Sequence, residues 1–269
     1  MLLTPVRPGA RVRLRDRDAL PPKGIPITEH DLDHEQEKLA SRLEELQNAL
    51  YAEHRRALLV VLQALDAGGK DGTIRRVFGS LNPQGCVVTP FKRPTESELA
   101  HDYLWRAHLA VPPKGMIGIF NRSHYEDVIV VRVRKLVPAE VWRQRYRQIN
   151  DFERMLTENG VTVLKFFLHI SKDEQRERLI ERLKDPTKNW KFNAEDLDDR
   201  ALWPQFTRSY EDALSNCSTP WAPWYVVPGD RKHVRNFLVT QALVETLERM
   251  RPRYPRAKKE VLALAKKIV

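Results

Sequence analysis

The chain of 269 residues contains no apolar stretch long enough to cross a bilayer: runs such as Leu58–Leu62 fall far short of the ~18 residues a span requires. Its N-terminus, Met1–Ala10, has no apolar core of the kind an export signal carries, so a cytoplasmic address is expected. Cysteine is scarce. Cys86 and Cys217 lie far apart, in no CxxC or Cys/His spacing, which argues against a disulfide framework or a zinc site and for ordinary thiols in a reducing compartment. There is no internal repeat and no low-complexity tract, so repeat architectures are set aside.

Acidic charge is also in deficit, 36 carboxylates against 46 lysines and arginines, for a net charge of +10. Such a field favours anionic partners without dictating a fold, and nucleic acid, a membrane surface or a phosphate-rich small substrate would all suit it. Part of the excess is peripheral: Arg249–Val269 holds eight basic residues, Lys266 and Lys267 among them, and one acid, Glu260. A solvated tail over 251–269 is the plain reading of that run, ahead of a docking site for polyanion.

The hydrophobic content of 42% suffices for one large domain or one domain with an insertion. Residues 1–30 are rich in proline and arginine and read as an extended arm. From Asp31 to Glu53 the pattern turns helical, with Leu39, Leu43, Leu46 and Leu50 on one stripe that suits core or subunit packing. Short apolar strands follow at Ala57–Gln63, Cys86–Phe91, Met116–Phe120, Val161–His169 and Trp224–Val227. Helical segments separate them: Lys70–Leu81, Glu96–Ala110, Pro138–Thr157 and, after the last strand, His233–Met250. Strands alternating with helices of this length predict an α/β domain over 31–250 with a parallel sheet covered on both faces. The polar, helical stretch between Lys172 and Ser218 is the natural insertion.

The strongest motif is a strand, then Asp66-Ala67-Gly68-Gly69-Lys70-Asp71-Gly72-Thr73, then a helix. Glycines that let the backbone turn tightly, the start of a helix and one lysine together make a phosphate cradle. Against the pattern G-x-x-x-x-G-K-[ST], Ala64 replaces the first glycine and Asp71 the hydroxyl residue that usually touches Mg²⁺. Asp66 is the more informative acid, since a carboxylate beside bound phosphate repels it unless a divalent cation intervenes or the acid positions an acceptor. A helix-capping aspartate is the simpler alternative.

A second cluster, Asn121-Arg122-Ser123-His124-Tyr125-Glu126-Asp127, closes the third strand. Arg122 could clamp phosphate oxygens with both arms of its guanidinium. His124 suits a structural role at least as well as a chemical one. In the insertion, Arg178 and Arg182 share a helix face, although Glu174 could simply pair with Arg178. A basic flap there could close over phosphates and exclude water. Arg75, Arg76, Lys92 and Arg93 extend the positive surface in a way that a long polyanion would use and a single nucleotide would not. Trp190 and Phe192 suit packing better than base stacking.

Taken together, Asp66–Thr73, Asn121–Asp127, Lys188–Phe192 and Ala222–Pro228 closely resemble the polyphosphate kinase 2 family, in order and over about Asp31 to Met250. The resemblance implies a three-layer P-loop kinase fold, a five-stranded parallel sheet with a helical lid at about 172–218. It implies Mg²⁺-dependent phosphoryl transfer (Mn²⁺ as a substitute) between inorganic polyphosphate and adenine nucleotides, in a homo-oligomer of two or four chains, with no membrane or nucleic-acid partner. By the same likeness Asp66, Lys70, Arg122, Asp127, Arg178 and Arg182 would be catalytic, and Asp66 and Asp127 would orient the metal. Ala67–Thr73, Arg75, Arg76, Asn121, Glu126 and Lys191 would bind the phosphates and nucleotide. The Asn121–Asp127 pattern resembles members that accept both AMP and ADP. Two rival readings are an ATP-dependent nucleoside monophosphate kinase and a nucleic-acid-binding module; in the latter, Asp66 and Asp127 would be liabilities.

Overall fold

A computed structural model describes residues 2–25, 29–263 and 268. Its strands are β1 (Ala57–Gln63), β2 (Cys86–Pro90), β3 (Ile117–Asn121), β4 (Val161–His169) and β5 (Trp224–Pro228). They form one five-stranded sheet in the order β2-β3-β1-β4-β5, every adjacent pair parallel. The helices are α1 (Glu29–Glu53), α2 (Lys70–Phe78), α3 (Glu96–Leu99), α4 (Trp105–Leu109), α5 (Glu126–Val133), α6 (Ala139–Glu158), α7 (Lys172–Lys184), α8 (Glu195–Ala201), α9 (Trp203–Cys217), α10 (Lys232–Met250) and α11 (Lys259–Ala263).

The expected three layers follow from the pleat of β1, whose residues alternate between two cores. Leu58, Val60 and Leu62 join Leu43, Leu46 and Leu50 of α1, Val77 of α2 and Leu238 of α10. Leu59 and Val61 join Ile129 of α5, Phe152 of α6 and Tyr210 of α9. Buried on both faces, β1 is apolar almost throughout and lies between β3 and β4, Val60 opposite Ile119 and Leu164. The leucine stripe of α1 is therefore core within the chain: it packs along α10, where Gln36 also donates to the Thr240 hydroxyl at 2.7 Å. Burial there removes the stripe as a contact surface between subunits.

Three expected segments come out differently. The predicted helix over Glu96–Ala110 is two short ones, because the Asp102 side chain accepts from the Leu104 amide at 2.9 Å and makes a turn between them. The stretch after β3, where no helix was expected, continues as α5. The insertion expected over 172–218 is split: α7, the turn at Asn189–Lys191 and α8 precede α9, whose Trp203, Phe206, Tyr210 and Leu214 are buried in the second core. Those residues repeat at helical spacing, so α9 belongs to the main layer.

The N-terminal arm is largely without regular structure but is anchored. The Val6 amide donates to Trp224 O at 2.8 Å, the Val12 amide to Ser215 Oγ at 2.9 Å and the Leu14 amide to Glu211 Oε1 at 2.9 Å. At the other end, α10 stops where Arg251 turns left-handed at φ 50°. Lys266 and Lys267 of the basic tail lie outside the described residues.

Candidate active site

In a parallel sheet of this kind ligands settle beyond the carboxyl ends of the strands. Here β1, β3, β4 and β5 deliver, in turn, the phosphate loop, Arg122, the start of α7 and the start of α10. Between them lies a cavity of about 530 Å³ lined by Asp66–Gly72 and by side chains from each of those elements. Ten lysines and arginines and four carboxylates face it, which makes it a site for a multiply charged anion.

The loop owes its shape to two left-handed residues, Ala67 at φ 59° and Gly69 at φ 94°. Gly69 caps α2 without a side chain, and a Cβ on Gly68 would come within 2.5 Å of the Ala64 Cβ, so the loop can hug the end of β1. Lys70 bends back to donate to Ala64 O at 3.0 Å. Burial, followed by the charge of Arg122, lowers its pKa to about 8.

Arg122, left-handed at φ 63°, donates to Asp66 Oδ1 at 2.7 Å and to Glu126 Oε2 at 3.2 Å. The charge of Glu126, more than that of Asp66, holds its pKa above the ordinary arginine range. Asp71 joins loop to flap, accepting from Asn121 Nδ2 and from Lys191 Nζ, both at 3.0 Å. Burial raises the Asp71 pKa, but these two hydrogen bonds outweigh it and the net shift is down.

Arg178 and Arg182 divide their work. Arg178 is buried; it donates to Glu174 Oε1 at 2.7 Å, Ala67 O at 3.2 Å and Gly229 O at 2.6 Å, bracing the phosphate loop against the turn after β5. Arg182, more open, pairs with Asp196 of α8 at 3.2 Å. Asp199, a turn further on, faces Asp66; burial and then the charge of Asp66 push its carboxyl up to about 6.

The cavity brings together Asp66, the loop through Gly72, Lys70, Asp71, Arg75, Asn121, Arg122, Arg178, Arg182 and Lys191. Glu126 reaches it through Arg122. Three expected residues stand elsewhere. The Asp127 carboxylate turns to Arg145 at 3.4 Å and Arg106 at 3.8 Å and does not line the cavity, and burial pushes it up to about 6 against both arginines. Arg76 pairs with Asp33 of α1 at 3.1 Å. Thr73 is buried, its hydroxyl donating to Gly69 O at 3.0 Å. His124 is fully buried against Glu153 Oε1 at 3.3 Å, which suits a structural role. Trp190, expected to pack, is 74% exposed beside the flap.

Sequence reasoning missed Arg235 and Lys232 on α10 and Asp196 on α8, all of which line the cavity. A signal existed for the first two: they are three residues apart, on one helix face, directly after a strand and turn.

A parallel sheet whose first strand runs through a phosphate loop into a helix, with basic residues from an adjoining helical flap, defines the P-loop kinase class. Within it, the model of the Polyphosphate kinase 2 (PPK2) family matches residues 27–255, and the chain belongs to that family. It is 60% identical over 217 residues to the AMP/ADP-polyphosphate phosphotransferase of Meiothermus ruber, covering 81% of each chain. It is 44% identical over 244 residues to the ADP-polyphosphate phosphotransferase of Rhodopseudomonas palustris, covering 85% of this chain and 84% of that one. Among solved structures, polyphosphate kinase 2 from Arthrobacter aurescens TC1 superposes with a TM-score of 0.91 at 39% identity, over 99% of this chain and 98% of that one.

Proposed function

We propose that this protein transfers the terminal phosphoryl group of inorganic polyphosphate to AMP, giving ADP, and to ADP, giving ATP, while the polymer shortens by one unit. The observation that carries this reading is the excess of ten cationic side chains over four carboxylates in a single cavity built on a phosphate loop. The names of the Meiothermus and Rhodopseudomonas relatives support the donor and the two acceptors.

Transfer is direct and in line. The loop and Lys70 hold phosphates, and Arg122 neutralises charge that develops on the transferred group. Arg178 keeps the loop in shape from behind, and Arg182 closes from the flap. The acceptor phosphate is already ionised at neutral pH, so no side-chain base is needed.

A divalent cation, Mg²⁺ or Mn²⁺, fits this donor set. Among the described residues no group of three His, Cys, Asp or Glu could hold one alone, but Mg²⁺ ordinarily takes one or two carboxylates and completes its shell with phosphate and water. Asp66 would hold it, and the ion would supply charge neutralisation between donor and acceptor phosphates. Asp127, paired with Arg106 and Arg145, instead ties α5 to α4 and α6.

No helix among the described residues is long and apolar enough to cross a membrane. The two free thiols suit the cytoplasmic address expected from the sequence. A homo-oligomer is part of the proposal and is read by light scattering. The enzymatic reading is tested by supplying AMP or ADP with Mg²⁺ and either polyphosphate or ATP as donor. ADP and then ATP should accumulate with polyphosphate; turnover of AMP with ATP alone would overturn the donor assignment.

A further inference from the structure

Arg235, in the first turn of α10, is 2% exposed, yet among the described residues it has no carboxylate of its own. Among the described residues its side-chain hydrogen bonds go only to the neighbouring Asn236 Oδ1, from Nε at 3.2 Å and Nη2 at 3.0 Å. Among the described residues Nη1 has no hydrogen-bond partner. It lies over the phosphate loop instead, where a Cβ on Gly69 would come within 1.9 Å of it.

Two further features make this placement unfavourable in the empty protein. Gly69 caps α2, so the guanidinium rests on the end of the helix that already carries a partial positive charge. The Arg178 guanidinium is the second neighbour, its Nη1 3.4 Å from the same Cβ position. Burial and then the charge of Arg178 bring the Arg235 pKa down to about 9, and the opposing acid, Glu174, is already engaged by Arg178 Nε at 2.7 Å. A side chain kept for packing alone would be better apolar at this position. An anion set between the start of α2 and the two guanidinia converts each repulsion into an attraction.

We infer that Arg235 is a phosphoryl-binding residue for the polyphosphate donor, gripping the chain against the start of α2 beside Arg178. The inference rests on the phosphotransferase reading given above. The donor is favoured over the nucleotide because the cations continue outward from Arg235 towards solvent. Arg182 on α7 has a side chain 23% exposed, and Lys232, one turn before Arg235, is 60% exposed. A linear polyanion meets such a series along its length, whereas a nucleotide carries its charge at one end only.

The test uses the full chain with R235M and R235K, assayed with long-chain polyphosphate and ADP, and by thermal unfolding with and without tripolyphosphate. Loss of one or two charge-assisted hydrogen bonds should raise the KM for polyphosphate by about 10- to 100-fold in R235M and less in R235K. If Arg235 grips the donor and not the acceptor, the KM for ADP should change by less than about twofold. Without ligand, R235M should unfold at or above the wild-type temperature, and tripolyphosphate should stabilise it less than it does the wild type. A lower unfolding temperature with both KM values unchanged would make Arg235 a structural residue, and a rise confined to the KM for ADP would assign it to the acceptor; either overturns the inference. If the wild type transfers nothing from polyphosphate, the phosphotransferase reading fails, and the tripolyphosphate shift in R235M still decides whether Arg235 binds phosphate.

Discussion

Replacing Lys165 with methionine removes a charge from the centre of the sheet and leaves its partner behind. Lys165 and Glu153 are both fully buried, with Nζ 2.5 Å from Glu153 Oε2, 2.7 Å from the Tyr125 hydroxyl and 2.7 Å from Cys217 O. The rings of Tyr125 and Trp224 flank the ammonium, each centroid 5.1 Å away. Glu153 also accepts from the Tyr125 hydroxyl at 2.9 Å and faces His124. Breaking such a pair on one side costs about 3–5 kcal/mol, which for a domain of this size lowers Tm by roughly 6–20 °C.

The loss should depend on pH, with a definite sign. In the wild type, burial would raise the Glu153 pKa, but Lys165 and His124 outweigh it and the carboxyl sits below its usual range. Its stabilising contribution is present above the unfolded pKa, about 4.3, and fades as pH falls through the folded value. Without Lys165 the same carboxyl is buried with its charge uncompensated and its folded pKa rises above the unfolded one. The variant is then penalised most at high pH and recovers as Glu153 takes up a proton. Between pH 5 and pH 8 the wild-type contribution stays constant, so the recovery of the variant alone narrows the gap towards acid. Thermal unfolding of wild type, Lys165→Met and Lys165→Met/Glu153→Gln from pH 5 to pH 8 reads this directly, and the double variant should recover much of the loss. A single variant within about 1 kcal/mol of wild type, or a deficit that does not shrink towards pH 5, would refute the reasoning.

Gly69→Ala places a methyl group in a left-handed residue and onto the Arg235 guanidinium; about 1–2 kcal/mol of backbone strain and a large loss of activity are expected, read by denaturant unfolding and initial rates. Ala67→Gly, at φ 59°, should by contrast fold normally. Lys70, at about 8 in the ligand-free protein, binds fewer protons folded than unfolded between pH 8 and about 10.4, so its contribution to stability rises with pH across that window. A bound polyanion restores the proton, and calorimetry at pH 8.5 in buffers of different ionisation enthalpy should show proton uptake that Lys70→Met abolishes. Asp71→Ala cuts the link to Lys191, an exposed pair worth about 0–1 kcal/mol, so Tm should barely move while limited proteolysis near Lys188–Phe192 speeds up.

The strands were legible because burial on both faces leaves a local record. β1 and β4 begin and end at the residues their apolar runs indicate, and the phosphate loop is written in consecutive positions. Residue partnerships across the fold were harder to read. Glu126 and Asp127 are neighbours in sequence, but one helical step of about 100° turns the first towards Arg122 and the second towards Arg106 and Arg145. The packing of α5 against α6, α9 and the sheet sets that phase. Arg235 escaped notice for a related reason, since its distance from Gly69 depends on where α10 leaves β5. Lys165 reads in sequence as a polar break in a strand, and nothing local says that Glu153, twelve residues earlier, fills the same space.

The anchoring of the N-terminal arm bears on the order of events as the chain is made. Val6 and Leu14 are held by Trp224 and Glu211, partners some two hundred residues later in the chain. At ~5–20 residues per second, their partners leave the ribosome roughly 10–40 s after the arm itself. Until then the arm has nothing to dock on, whereas β5 finds the arm already made when it appears. A segment made early is thus among the last to be placed, and it closes over β5 only once that strand has formed.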